Sequence, residues 1–94
     1  MAKTVKMNID KDLRCLAGFE YGKHLWLQNV DKEYDGTEVI EVVFPEYIEA
    51  VAVSFVQGFY TRPFNLVGKE KAIETIKIVH SDSEFIDAFL SRIE

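Results

Sequence analysis

Several residue types that mark a protein class are scarce in this sequence of 94 residues. Cys15 is the only cysteine, which excludes an intrachain disulfide, and no Cys-x-x-Cys pair supports a zinc site. The five glycines are scattered and match neither the GxGxxG nor the Walker pattern, so the signal for a phosphate-binding loop is missing. No apolar run approaches the roughly 20 residues of a membrane span, and the first residues lack the apolar core of a signal peptide. We therefore expect a cytoplasmic protein with no membrane partner and a half-buried free thiol at Cys15.

Basic residues are also few relative to acidic ones. Eleven Lys and Arg stand against sixteen Asp and Glu, which gives a formal net charge of −5. An acidic chain has no electrostatic attraction to a phosphate backbone, so nucleic-acid binding is disfavoured. A hydrophobic content of 48% with 29% charged residues is typical of a folded globular domain. The length predicts one domain, spanning residues 1–94.

No set of residues indicates catalysis or a bound metal. His24 and His80 fall on different predicted elements, and a metal site needs at least three convergent ligands. Ser54, His80 and Asp82 could be drawn as a catalytic triad, but no G-x-S-x-G motif surrounds the serine. We therefore predict that the protein is not an enzyme and that it has no metal ion and no cofactor.

Three segments have the pattern of β-strands. Residues 4–9 and 74–80 alternate between apolar and polar side chains, which indicates strands with one buried face. Val39–Phe44 is nearly all β-branched or aromatic, as expected for a strand that is covered on both sides. We predict that Val39–Phe44 lies at the centre of the sheet, between the other two strands.

Three segments have helical patterns. Residues 19–30 carry one apolar stripe interrupted by Gly22, and residues 54–68 begin with the possible capping box Ser54–Gln57. Pro63 is expected to kink or end this second helix, with Gly68 as a stop. A second capping box, Ser81–Glu84, precedes an amphipathic helix that reaches the C-terminus. The order β-α-β-α-β-α predicts an α/β fold: a mostly parallel or mixed three- to four-stranded sheet with about three helices. Residues 13–18 are compatible with a loop, a helical turn or an additional strand.

Aromatic residues outnumber what a three-stranded core is expected to bury. They could line a partner-binding patch, because aromatic residues are enriched at interfaces. The interpretation that we favour is that they fill the core beneath the loops. The residues concerned are Phe19, Tyr21, Trp26, Tyr34, Tyr47, Tyr60 and Phe64.

The second part of the chain carries a family resemblance. A hydrophobic strand at Val39–Phe44 is followed by Ile48, by Val51-Ala-Val-Ser-Phe55 at a helix start, by Gly68 and by the strand at residues 75–79. This pattern covers about 60% of the chain and resembles the bacterial STAS-like domains of unknown function. These are similar to anti-sigma-factor antagonists. The resemblance implies a STAS-like α/β domain that regulates a protein partner, such as an ATPase-fold kinase or an anti-sigma-like protein.

The resemblance also draws attention to Ser54. In many such domains a serine at the start of the second helix is phosphorylated by the kinase partner, and a helix N-terminus stabilises the added negative charge. Here Ala52 and Val53 stand where Asp and Ser are usual, and Phe55 replaces a glycine. These departures favour a helix N-cap at Ser54 over a phosphosite.

The leading functional hypothesis is a non-catalytic regulatory module that binds a protein through the Glu46–Ser54 loop and the second helix. The loop follows the central strand, where open α/β sheets bind their ligands. Candidate contact residues are Glu46, Tyr47, Glu49 and Phe55. The alternative is a small acidic inhibitor, encoded by a phage or mobile element, that blocks a nucleic-acid-binding enzyme. Neither hypothesis predicts an oligomeric state.

Overall fold

The computed structural model of this chain describes residues 3–93, whose regular structure consists of short strands and helices. In chain order these are β1 (Lys3–Lys6), β2 (Cys15–Leu16), α1 (Phe19–Asn29), a 3₁₀ turn (Asp31–Glu33), β3 (Ile40–Val43), β4 (Ala50–Val51), α2 (Val53–Val67), α3 (Lys69–Thr75), β5 (Ile76–Val79) and α4 (Ser83–Ser91). The predicted α/β class is confirmed. The short strand β2 lies within residues 13–18, and it pairs in parallel with β4 outside the main sheet.

The main sheet has three parallel strands in the order β1-β3-β5. Val42 of the central strand is in register with Val5 of β1 and with Ile78 of β5. The predicted central position of Val39–Phe44 is therefore confirmed. All strands run in the same direction, so their carboxyl ends lie at one edge of the sheet.

Within residues 3–93, only one face of the main sheet is covered. Its buried side chains alternate along each strand and belong to one hydrophobic cluster with the helices. They are Val5, Ile40, Val42, Ile76 and Ile78. The side chains of the opposite face are exposed or half-buried, although parallel sheets almost always have both faces covered. The expectation that the central strand is covered on both sides is therefore wrong for this sheet.

Aromatic rings are the largest side chains of the core beneath the helices. Phe44, which follows β3, lies 5.2 Å from the ring centroid of Phe89 in α4 and 6.0 Å from that of Phe59 in α2. The interpretation that the surplus aromatic residues fill the core is confirmed for Trp26, Tyr34 and Tyr60, which are buried. Tyr21, Tyr47 and Phe64 are partly buried against the same cluster, and Phe19 is exposed.

Two glycines let α1 and α2 approach closely. A Cβ added at Gly58 would overlap the carbonyl oxygen of Phe19, and one added at Gly22 would overlap the carbonyl oxygen of Phe55. Gly22 weakens α1 by about 1 kcal/mol relative to Ala. The close packing of the two helix backbones explains why this cost is tolerated.

Several sequence-based boundaries are wrong. The helix α2 continues past the buried Pro63 to Val67, and it ends at Gly68 as predicted. The α4 cap is Asp82 rather than Ser81, because the Asp82 carboxylate accepts the Glu84 amide at 2.9 Å. The helix α3 was not predicted, and β5 consequently begins at Ile76.

Two further findings concern the exposure of Cys15 and the possibility of a membrane span. Cys15 is an exposed free thiol, not a half-buried one, because it lies on the outer side of the short strand β2. Across residues 3–93, no helix combines the length and apolarity needed to cross a bilayer.

Candidate functional site

The carboxyl edge of the main sheet, defined here by residues 7–10, 44–49 and 80–82, is the first candidate for a functional site. These segments follow β1, β3 and β5, and the parallel order of the strands brings them to the same edge. Ligands of open α/β sheets bind outside the carboxyl ends of the strands. The segment after β3 contains the predicted contact residues Glu46, Tyr47 and Glu49.

His80 holds two of these segments together. Its Nδ1 accepts the backbone N–H of Asp82 at 3.0 Å, so the other ring nitrogen carries the proton of the neutral imidazole. That nitrogen, Nε2, donates to the carbonyl oxygen of Pro45 at 3.1 Å. The ring also stacks on Phe85 with centroids 4.3 Å apart. Since both nitrogens are used in structural hydrogen bonds, His80 is not free to act as a general base in this arrangement.

The loop after β3 is fixed by its backbone and its apolar side chains. The amides of Glu49 and Ala50 both donate to the carbonyl oxygen of Arg14, at 2.6 and 3.2 Å. The Tyr47 hydroxyl donates to the carbonyl oxygen of Ile9 in the segment after β1. Ile48 is fully buried. The exposed side chains of this loop therefore project from a backbone that is fixed at several points.

The carboxylates of this loop are its most accessible groups. Glu46 and Glu49 are both exposed, whereas Tyr47 is half-buried. The only ion pair within residues 3–93 joins Arg62 and Asp31, so neither Glu46 nor Glu49 has a basic partner there. The two carboxylates are therefore available to a basic surface on another molecule.

Phe55 is not accessible to a partner. Its side chain has no exposed area, and its ring packs edge-on against Tyr21 with centroids 5.8 Å apart. The prediction that Phe55 contacts a partner is wrong, because this position lies on the face of α2 that turns toward the core. The exposed apolar residue at the start of α2 is Val53.

Ser54 has a structural role different from the predicted one. The helix begins at Val53 with Ala52 as its N-cap, and Ala52 supplies no side-chain capping bond. Ser54 is the second helical residue, and its half-buried Oγ accepts the Gly18 amide at 3.1 Å. The capping prediction is thus wrong by two residues. The serine instead joins the start of α2 to the N-cap residue of α1.

Tyr21 brings a phenol close to Asp10 and Tyr47, a proximity that the sequence did not predict. Burial raises the pKa of its phenol above the ordinary value, and the nearby Asp10 carboxylate and Tyr47 phenol add to the shift. The helical stripe of α1 predicts that Tyr21 faces inward, but not that it approaches Asp10. This proximity depends on the path of the chain after β1.

A second candidate is a shallow groove along α1 and α2. Two adjoining depressions of about 280 and 200 Å³ share Thr61. Their walls include Phe19, Lys23 and Leu27, which recur every four residues on α1. Lys23 Nζ lies 5.6 Å from the centroid of the Phe19 ring. The four-residue spacing of these side chains is the sequence signal for this groove.

Neither a metal-ligand cluster nor the triad of Ser54, His80 and Asp82 is formed by the contacts within residues 3–93. Within residues 3–93, no three His, Cys, Asp or Glu side chains come together as metal ligands. Ser54 bonds to Gly18 and His80 to Pro45, so the triad drawn from the sequence is not assembled by these contacts. Comparison with protein-family models, curated proteins and solved structures finds no match to this chain.

Proposed function

We propose that this chain is a cytoplasmic, non-catalytic regulatory module, similar to STAS-like domains, that binds a protein partner. The contact surface is the exposed part of the carboxyl edge together with the start of α2. Its central residues are Glu46, Glu49 and Val53. The partner is a protein with a basic surface, such as an ATPase-fold kinase or an anti-sigma-like protein.

One observation supports this proposal most directly. Glu46 and Glu49 are exposed and unpaired within residues 3–93, on a loop whose neighbours are fixed by hydrogen bonds to Arg14 and Ile9. Charged groups that are held in place before binding steer a partner and set its orientation.

The proposed surface does not depend on modification of Ser54. The Ser54 hydroxyl is half-buried and already accepts the Gly18 amide. Phosphorylation would have to place a bulky, doubly charged group at this contact. We therefore propose that the carboxylates of Glu46 and Glu49, and not Ser54, make the main contribution to binding.

The experiment compares two double charge reversals. Affinity capture from the source cells and mass spectrometry identify the bound proteins, and calorimetry with each purified protein then gives its Kd. Glu46→Lys with Glu49→Lys should weaken binding by about tenfold or more, because the new charges face a basic surface. The matched control is Glu38→Lys with Glu74→Lys. These exposed residues precede β3 and β5 at the opposite edge of the sheet.

The control should change the Kd by less than about twofold, and both variants should keep the wild-type unfolding free energy within about 0.5 kcal/mol per site. Binding that tolerates the loop reversal and is lost in the control would place the interface at the other edge. Turnover of a small molecule that a single change at Ser54 or His80 abolishes would refute the non-catalytic assignment.

A further inference from the structure

The uncovered face of the main sheet is a separate surface, and we call it the open face. It consists of Thr4, Lys6, Glu41, Val43, Lys77 and Val79, which alternate with the buried residues of β1, β3 and β5. The register aligns Thr4, Glu41 and Lys77 in one row and Lys6, Val43 and Val79 in the next. These residues face away from the hydrophobic cluster that contains the helices.

An open face on a parallel sheet is unusual. The connections of β-α-β units normally place helices on both sides, and the strands are then apolar on both faces. Here Val43 is half-buried and Val79 is 36% exposed, so apolar side chains in the middle of this face and at its edge contact water. Covering them would remove apolar surface from water, which favours association.

The charges of the open face indicate what covers it. Glu41 accepts the Thr4 hydroxyl at 3.1 Å, so its carboxylate already has a partner on the same face. Lys6 and Lys77 lie on the two outer strands, and neither forms an ion pair within residues 3–93. The face therefore carries one lysine on each outer strand with Val43 between them, while Val79 lies beside Lys77 on β5 and Glu41 is in register with Lys77. Two lysines against one carboxylate make this face positive on a molecule whose net charge is −5. Its complement is an apolar stripe flanked by carboxylates.

The size of the face selects one helix as the occupant. Three strands of four residues span roughly 10 Å across and about 13 Å along the strands, at the usual spacings. One α-helix is about 10–12 Å wide, so it covers this width. A stable dimer buries about 800 Å² on each partner, which is much more than a patch of this size provides.

We propose that the open face binds an acidic amphipathic helix of a partner protein. The helix axis runs along the strands above β3, its apolar stripe covers Val43 and Val79, and the carboxylates on its two flanks pair with Lys6 on β1 and Lys77 on β5. This surface does not include the carboxyl edge. The proposal is therefore independent of the proposed function.

Labelled peptides of about 18 residues, long enough to form helices, provide the probe. They share one leucine stripe and carry Glu, Gln or Lys on its two flanks. Fluorescence anisotropy measures their binding to the wild type, to the variant Lys6→Glu with Lys77→Glu, and to the control Lys69→Glu with Lys71→Glu. The control lysines are exposed on α3, in the helical layer.

The Glu peptide should bind the wild type at least about tenfold more tightly than the Lys peptide. The open-face reversal should invert this preference, and the control should change neither affinity by more than about twofold. Amide chemical shifts should change along β1, β3 and β5. Shifts confined to the α1–α2 groove, or equal binding of the three peptides, would overturn the proposal. A wild-type dimer that Val43→Thr with Val79→Thr converts to monomer would assign the face to a second copy instead.

Discussion

Two buried tyrosines differ in how their hydroxyl groups are satisfied. Tyr34 shares a hydrogen bond of 2.7 Å with Thr75 Oγ1. Tyr60 is equally buried, and its hydroxyl has no hydrogen-bond partner within the part of the chain that the structure describes. An unsatisfied buried hydroxyl costs about 1–3 kcal/mol, whereas a satisfied one contributes about 1 kcal/mol. The two positions therefore form a natural comparison.

Tyr60→Phe should raise the unfolding free energy at pH 7 by about 1 kcal/mol, because it removes a polar atom that gains nothing in the fold. Tyr34→Phe should lower it by a similar amount, because Thr75 loses a partner. Urea denaturation of the two variants measures both values. A loss of stability in Tyr60→Phe would show that its hydroxyl is satisfied in solution.

Tyr60→Phe should also alter how the unfolding free energy responds to alkaline pH. Burial, and secondarily the nearby Tyr34, raise the pKa of Tyr60 above its ordinary value of 10.0. The unfolded phenol ionises near that value while the folded one resists, so stability is retained below pH 10 and is lost as the pH rises above it. Tyr60→Phe should therefore lose less stability than the wild type between pH 9 and pH 11. The remaining loss includes Tyr21, whose pKa is raised as well.

Ser54 shows the limit of prediction at a single residue. A serine three residues before a glutamine is typical of a capping box, and local sequence carries no competing signal. In the structure the cap is Ala52 instead, because the Ala52 amide donates to the carbonyl oxygen of Leu16 across the β2–β4 pair. Ala52 is thereby fixed in an extended conformation, and the helix begins at the next residue. The position of the cap depends on a distant strand.

At the level of elements, the contact between α1 and α2 depends on the absence of side chains. Gly22 and Gly58 bring one helix backbone against the other, with Phe19 and Phe55 as their neighbours. Added atoms at such a contact force the helices apart, since protein interiors are packed as densely as organic crystals. The helices cannot separate without disturbing the aromatic core beneath them.

Gly58→Ala should therefore destabilise the protein by about 3 kcal/mol or more, because overpacking outweighs the better helix propensity of alanine. The matched control is Gln57→Ala on the exposed side of the same helix, which should change stability by no more than about 0.5 kcal/mol. Thermal and urea unfolding compare the variants. An equal, small effect of both substitutions would mean that the helices do not touch at Gly58.

Elements with a clear periodicity were predictable, and those without one were not. The alternation of β1 and β5 and the apolar run of β3 determine three strands and their order. The strands β2 and β4 have two residues each, too few for any period, and they exist because they pair with one another. The short helix α3 runs directly into β5, and its last two residues, Glu74 and Thr75, continue the alternating pattern of that strand. The end of α3 was therefore predicted as part of the strand. In the candidate site, the exposure of Glu46 was predictable from its charge, and the burial of Phe55 from the helical spacing that it shares with Val56 and Phe59.

On the scale of the whole molecule, surface charge is poorly compensated. The net charge is −5, and the only ion pair within residues 3–93 joins Arg62 and Asp31 at 3.0 Å. Exposed pairs of this kind contribute about 0–1 kcal/mol, so attraction between charges adds little. Repulsion between the excess carboxylates opposes the compact state.

Salt should therefore stabilise the protein. Raising NaCl from about 0.01 M to 0.3 M shortens the Debye length from roughly 30 Å to below 10 Å, which screens the repulsion. A gain of roughly 0.5 kcal/mol corresponds to a rise in Tm of about 2–4 °C for a domain of this size. Replacing Glu46 and Glu49 with Gln removes two negative charges, and replacing them with Lys removes the same two and adds two positive ones, which changes the net charge from −5 to about −1. The increase in Tm with salt should fall in that order across the wild type, the Gln variant and the Lys variant. A Tm that decreases with salt in the wild type would mean that attractive pairs outweigh the net charge.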